Sequence, residues 1–230
     1  MIVTNACVKR ILQQKGVFHL YHANTVPTAC TFLENGGLLS RGAVERGGLF
    51  QTSQTSDASD QELGVFDDIF FDSADNHRRA RSRNKYGPVL FVYSIDLIDQ
   101  LPEGVIGITK DNPIYWSPDL PEAERYFMTE QELLDEFYMG QFRQHFTIRN
   151  QTQPLSFAHL EKVILDDPAY PEAACLEGAR RQLAELLCGH APWAPLEIRQ
   201  CPPECRCKAE YAGYGKGFFY YNFGFESGGC

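Results

Sequence analysis

The 230-residue chain has no apolar run of the roughly 18 residues that a membrane-spanning helix needs. Its opening segment, MIVTNACVKRILQQKGVFHL, lacks the apolar core of a secretory signal, so a cytoplasmic location is expected. No internal repeat, heptad pattern or Gly-X-Y period occurs, which excludes solenoids, coiled coils and collagen. The chain also lacks a Walker motif, G-x-G-x-x-G, H-E-x-x-H and G-x-S-x-G. Kinase, Rossmann dehydrogenase, zincin and α/β-hydrolase readings lose their main support with them. Positive charge is in deficit, with 21 Lys and Arg against 30 Asp and Glu and a net charge of -9. That balance speaks against a nucleic-acid binder that uses its whole surface, though not against a local basic site.

What is present is globular. Hydrophobic residues at 43% and charged residues at 22% can build a substantial core in a chain of this length. One domain over residues 1–199 is expected, with a Cys-, Gly- and aromatic-rich extension over 200–230 packed on it. Eight cysteines are too few for a disulfide scaffold, and reduced thiols are the expectation. Cys201, Cys205 and Cys207 form C-x3-C-x-C. Zinc usually takes C-x2-4-C pairs and a fourth ligand, which here would be Cys230. The spacing is off that pattern, so free thiols are the ordinary reading and a structural zinc the alternative.

Local patterns give short strands mixed with a few helices. Residues 5–15 read as a helix or an extended lead-in, and 18–22 as a strand. Asn24 or Thr25 caps a helix with Pro27 in its first turn, ending at Asn35-Gly36-Gly37. Leu38 to Gly42 is expected to be extended, and 43–64 to be a long polar loop. Strands are expected at 69–71, 88–94, 104–109, 145–148, 160–165 and 197–199. Helices are expected at 129–139, with Thr129 and Glu132 as a capping box, and at 172–188. The absence of regular βαβ alternation points to an α+β fold with a mainly antiparallel sheet.

Five polar constellations are candidates for chemistry. Tyr21-His22-Ala23-Asn24 leaves a strand and enters a helix, where His22 can offer a ring N–H to a ligand. Ser40-Arg41-Gly42 places an Arg able to clamp a diphosphate. The segment from Gln51 through Gln54 to Asp57 can fold over a ligand. Residues 57–75 are acidic, and His77, Arg78, Arg79, Arg81, Arg83 and Lys85 follow as a concentrated basic strip suited to phosphates. His145, Thr147 and Arg149 share one face of a strand. The ordinary alternatives are a His satisfied by backbone, a solvated Arg, a flexible loop and a helix face paired with the acidic run. The lone H-x-T is similar to that of phosphoesterases with paired motifs, but a second copy is absent.

The order of these pieces resembles DarT-like ADP-ribosyltransferases over about residues 17–166. The likeness is carried by Leu20-Tyr21-His22, Phe32 to Leu39, Asp68-Ile69-Phe70-Phe71, Val89 to Ser94, Val105 to Asp111, His145 to Arg149 and Leu160 to Leu165. The resemblance implies an ADP-ribosyltransferase fold, a split antiparallel sheet with flanking helices and NAD in its cleft. It implies modification of a DNA or RNA base, and a role as a toxin with an antitoxin or in phage defence. By carry-over His22 would meet the nicotinamide-side ribose or amide, with Asn24 beside it.

Two departures follow. The family's catalytic Glu stands at the start of the late strand, where this chain has His145, and a His can act as a base near neutral pH. The family's catalytic Arg lies in a basic helix before the Phe-rich strand, whereas this interval is acidic and rich in Gln and Ser. Either Arg41, Arg46 or the 78–83 cluster has taken that role, or it is missing. The expected assignment is therefore His145 and Arg41 as catalytic. His22, Asn24, Ser40, Arg41 and Gln54 are expected on NAD, under a lid formed by residues 43–64. His77, Arg78, Arg79, Arg81, Arg83, Lys85 and Arg149 are expected on nucleic acid, with no metal at the site. A metal-independent RNase using His22 and His145, and a non-catalytic interaction module on the same fold, are the alternatives.

Overall fold

The computed structural model describes residues 3–224. The chain runs through α1 (Asn5–Gln14), β1 (His19–Asn24), α2 (Val26–Glu34), β2 (Gly37–Leu38), α3 (Arg41–Arg46) and α4 (Asp57–Glu62). It continues through β3 (Ile69–Phe71), α5 (Asn76–Ala80), β4 (Val89–Ser94), β5 (Ile106–Ile108), α6 (Glu122–Arg125) and α7 (Glu130–Glu136). Then come β6 (Phe146–Ile148), β7 (Leu155–Ser156), β8 (Leu160–Asp167), α8 (Ala173–His190), β9 (Leu196–Gln200), α9 (Cys207–Tyr214) and α10 (Lys216–Phe223).

The fold is α+β, as the mixed pattern of short strands and helices implied. One sheet has the order β1-β4-β8-β9, antiparallel except for the parallel β8–β9 pair. A second has the order β3-β6-β5, antiparallel throughout, and β2 pairs with β7 as a separate ribbon. The first two sheets meet where Tyr21 and Asp72 exchange backbone hydrogen bonds of 3.0 and 2.8 Å. Alternation along β1 sends Leu20 and His22 to one face and Tyr21 and Ala23 to the other. The first face packs with Phe32, Phe71, Phe91, Tyr93 and Leu165 into the main core. The second joins Leu90, Val92 and Ile164 in a small cluster.

Local chemistry accounts for the element boundaries. The Thr25 side chain caps α2 and Pro27 lies in its first turn, while Gly36 at φ +71° turns the chain out afterwards. The Thr129–Glu132 capping box opens α7. The stretch Leu38 to Gly42 departs from expectation: only Gly37–Leu38 is extended, because Ser40 accepts from the Ala43 N–H and starts α3. Residues 43–64 are likewise not one loop, since they finish α3 and contain α4. Gly87 (φ +142°) lies so close to β1 that a Cβ would sit 2.3 Å from the Asn24 carbonyl, which fixes Tyr86 beside the strand end. Described residues of the extension form α9 and α10, with Tyr211, Phe219 and Phe223 buried against Tyr170 and the core. Phe225 and Cys230 lie outside the described residues. No helix among the described residues is long and apolar enough to cross a membrane.

Candidate active site

Phe70 and Asp72, two residues of one short segment, hold two imidazoles. His22 Nδ1 is 2.8 Å from the Phe70 carbonyl, and His145 Nδ1 is 3.2 Å from Asp72 Oδ1. The Phe70 ring stands at 88° to the His145 ring with centroids 6.2 Å apart. β3 and Asp72, the residue that follows it, thus position both histidines.

The tautomer of each ring follows from its partners. A carbonyl oxygen can only accept, so His22 carries its proton on Nδ1, and burial lowers its pKa and favours the neutral ring. Nε2 is then a lone pair. It is buried and has no hydrogen-bond partner among the described residues. The expected N–H donation from this ring is thereby corrected to acceptance, because the Phe70 carbonyl takes the proton-bearing side.

His145 is buried, and its Nδ1–H points at the Asp72 carboxylate. Its Nε2 lies 3.1 Å from the Asn112 amide nitrogen. Asn112 Oδ1 accepts the Ile114 N–H at 3.1 Å, which leaves the Asn112 NH2 as the donor toward His145. Asp72, His145 and Asn112 therefore form one connected polar group. Burial and the Asp72 charge push the Tyr86 phenol upward. Thr147, next on the same face, is fully buried, and its hydroxyl has no partner among the described residues. Arg149 ends that face at a different place: it pairs with Glu122 at 2.5 Å and stacks 4.6 Å from the Tyr126 ring.

Other expected site residues are occupied by the fold. Asn24 Oδ1 accepts the Thr25 N–H at 3.0 Å. Ser40 caps α3 and donates to the Gln151 carbonyl at 2.7 Å. Arg41 is clamped on Asp57 through both Nε and Nη2 and donates to the Thr52 carbonyl at 3.0 Å. Gln54 donates its backbone N–H to the same Asp57 carboxylate. Arg46 is paired with Asp67. The segment carrying Thr52 is fastened to α2 by Thr52 contacts with Thr25 and Thr28, and to α10 by the Tyr221 hydroxyl on the Ser53 carbonyl. Arg41 thus acts as a clasp for this segment, rather than as a cation projecting from it.

The basic strip divides. Arg78, Arg79, Arg81 and Lys85 are exposed, with Arg79 stacked 4.5 Å from the Phe142 ring. Arg83 is half-buried over Tyr214 and Phe218. His77 is buried and faces inward, so it does not join a nucleic-acid surface: its Nδ1 bonds Asp166, and its Nε2 faces the thiols of Cys201, Cys205 and Cys207. Among the described residues the fourth group beside those thiols is His77; Cys230 lies outside the described residues.

Asp72 and Asn112 are the residues that sequence reasoning passed over. Asp72 lies within the acidic run of residues 57–75. The alternation past Phe70 already placed position 72 on the same face, and that was the available signal.

One concavity of about 330 Å³ is lined by Leu97, Leu101, Leu155 and His159, and another of about 300 Å³ by Val26, Cys30, Phe50 and Gln182. Neither includes His22 or His145. No family model and no curated protein matches the chain. Among solved structures, Thermus sp. 2.9 DarT in complex with ADP-ribosylated ssDNA is similar, with a TM-score of 0.47 and 14% identity. That match covers 82% of this chain and 95% of the other. The same protein in complex with NAD+ gives 0.47 and 12%, covering 80% and 95%. Its complex with carba-NAD+ gives 0.44 and 13%, covering 81% and 96%. The chain is similar to these structures over most of its length.

Proposed function

We propose that the protein is an NAD-dependent ADP-ribosyltransferase that modifies a nucleic-acid base. The observation that carries the reading is the pair of imidazoles held by Phe70 and Asp72, one neutral with a buried lone pair and one backed by a carboxylate. His22 Nε2 would accept an N–H from the nicotinamide carboxamide, and the fixed ring would orient that end of NAD. His145 Nε2 would serve as the base. The bond between ribose C1′ and the nicotinamide nitrogen breaks, and its electron pair leaves with nicotinamide. A lone pair of the acceptor base bonds to C1′, and the acceptor's proton passes to His145 Nε2. Asp72 stabilises the imidazolium so formed, and Asn112 yields its place on Nε2 to the acceptor. The NAD diphosphate would compete with Asp57 for Arg41. Exposed Arg78, Arg79, Arg81 and Lys85 would hold target phosphates.

On this reading the protein acts in the cytoplasm as a toxin or phage-defence effector held in check by an antitoxin. The alternative RNase needs one histidine protonated near neutral pH, and the burial that lowers the His22 pKa works against that role. Labelled NAD incubated with single-stranded DNA, duplex DNA and RNA tests the proposal. Transfer of label to nucleic acid, lost in His145→Ala, is expected. Absence of transfer together with absence of any NAD-induced thermal shift overturns it, and RNA cleavage without NAD moves the assignment to the nuclease.

A further inference from the structure

We propose that His77, Cys201, Cys205 and Cys207 bind one structural zinc ion. Their four ligand atoms lie within 4.8 Å of one another. His77 Nε2 is 3.4 Å from Cys201 Sγ and 3.3 Å from both Cys205 Sγ and Cys207 Sγ. Cys205 Sγ and Cys207 Sγ are 3.1 Å apart. Tetrahedral zinc with bonds of about 2.3 Å to sulfur and 2.0–2.1 Å to nitrogen sets N···S edges of about 3.5 Å and S···S edges of about 3.8 Å. The three N···S edges already have nearly that length, the Cys205–Cys207 edge is about 0.7 Å short of it, and no two of the four atoms are more than 4.8 Å apart.

Hydrogen bonding alone leaves this cluster unexplained. With Nδ1–H directed at Asp166, His77 Nε2 offers one lone pair, yet three thiols converge on it. A single cation answers all four groups at once. Three thiolates and an imidazole in a tetrahedron select zinc among the common divalent ions. The surroundings are those of a metal ligand: Asp166 fixes the His77 tautomer and aims Nε2 at the sulfurs. Asp166 is held in turn by Arg199 Nε at 2.6 Å, and Arg199 also pairs with Asp75, the cap of α5. His77 and Cys207 are buried and Cys201 and Cys205 half-buried. Four protein ligands leave no open position, which makes the site structural rather than catalytic.

The ion would join parts that share no sheet hydrogen bonds. Cys201 follows β9, Cys207 opens α9, and His77 belongs to α5. The Arg206 N–H already meets the Arg81 carbonyl at 2.8 Å alongside. Zinc here would set the basic α5 against the sheet and the aromatic extension.

The test is the metal content of the full chain purified under reducing conditions, measured by plasma mass spectrometry. Stoichiometric zinc is expected in wild type and in Cys188→Ser, and little in Cys207→Ser or His77→Gln. Asp166→Asn should weaken zinc retention against a competing chelator by roughly 10–100-fold. Should the ligand variants fail to fold, cobalt reconstitution of wild type decides instead. A thiolate-to-cobalt charge-transfer band with intense tetrahedral bands supports the site. Wild type that neither holds zinc nor gives that spectrum, or a disulfide among the three cysteines in non-reduced peptide maps, overturns it.

Discussion

His145 donates from Nδ1 to Asp72, and Asp72 is at the same time the residue whose backbone joins β3 to Tyr21 of β1. The carboxylate behind the imidazole is therefore fixed by sheet hydrogen bonds on the side where the other histidine stands. Asp72→Asn should lower ADP-ribose transfer on the order of 10²–10⁴-fold, and His145→Ala by a similar factor. The double variant should lose no more than the worse single one, since the two act as a unit. Label transfer measures this, with the NAD-induced thermal shift as the check that binding survives.

His22 gives a pH dependence with a defined sign. Its folded pKa lies below the ordinary 6.5, so the unfolded chain binds more protons in the interval between them. Its contribution is fully present above about 6.5 and is lost as the pH falls toward the folded value. Wild type should lose stability relative to His22→Phe from about pH 7 to about pH 5, read from urea midpoints. His22→Ala should also abolish the NAD-induced thermal shift.

Asp68 runs the other way. Burial raises its carboxyl from 3.8 to about 6, although its Oδ1 accepts the Asn150 N–H at 2.9 Å. A raised carboxylate stabilises the fold below its unfolded value, and that advantage is gone once the pH passes about 6. Asp68→Asn keeps the acceptor and removes the charge. It should gain about 1–3 kcal/mol over wild type near pH 8, and the gain should vanish near pH 4, in urea titrations at both.

The clasp between Arg41 and Asp57 predicts a local effect. Arg41→Ala removes charge-assisted bonds that hold the segment around Thr52 and should cost about 1.5–3 kcal/mol. Limited proteolysis should then cut between Phe50 and Asp57 before any other place.

The basic strip predicts a loss confined to nucleic acid. Replacing Arg78, Arg79, Arg81 and Lys85 with Gln should weaken binding to single-stranded DNA and flatten its salt dependence by about 0.7 per lost phosphate contact. The NAD-induced thermal shift should survive. Arg83 is left intact because its guanidinium stacks on Tyr214 and Phe218.

The readable part of the molecule was its local chemistry. The Thr25 and Thr129 caps, the strand at Val89–Ser94 and the long helix α8 all follow from neighbours in sequence. Ser40 misled because an extended strand and a helix cap use the same residue, and only the downstream Ala43 N–H distinguishes them. At the site, His22 and His145 could be singled out as residue types, but their proton positions could not. Those depend on Phe70 and Asp72, 48 and 73 positions away. Arg41 was legible as a cation and illegible as a clasp, because Asp57 sat in an acidic run with no sign of its partner. The thiol cluster was half legible: three sulfurs stand close in sequence, and the imidazole that completes them does not.

His77 and Cys207 are 130 positions apart, and Ser53 and Tyr221 168 apart. On a ribosome adding 5–20 residues per second, α5 would wait roughly 7–25 s for its thiols to be made. Closing loops of that size is also slow compared with forming the local helices. The strand–helix pieces up to β4 can therefore settle during synthesis, while the basic helix and the Thr52 segment acquire their final restraints last. The part of the molecule that would meet a nucleic acid is thus among the last to be fastened in place.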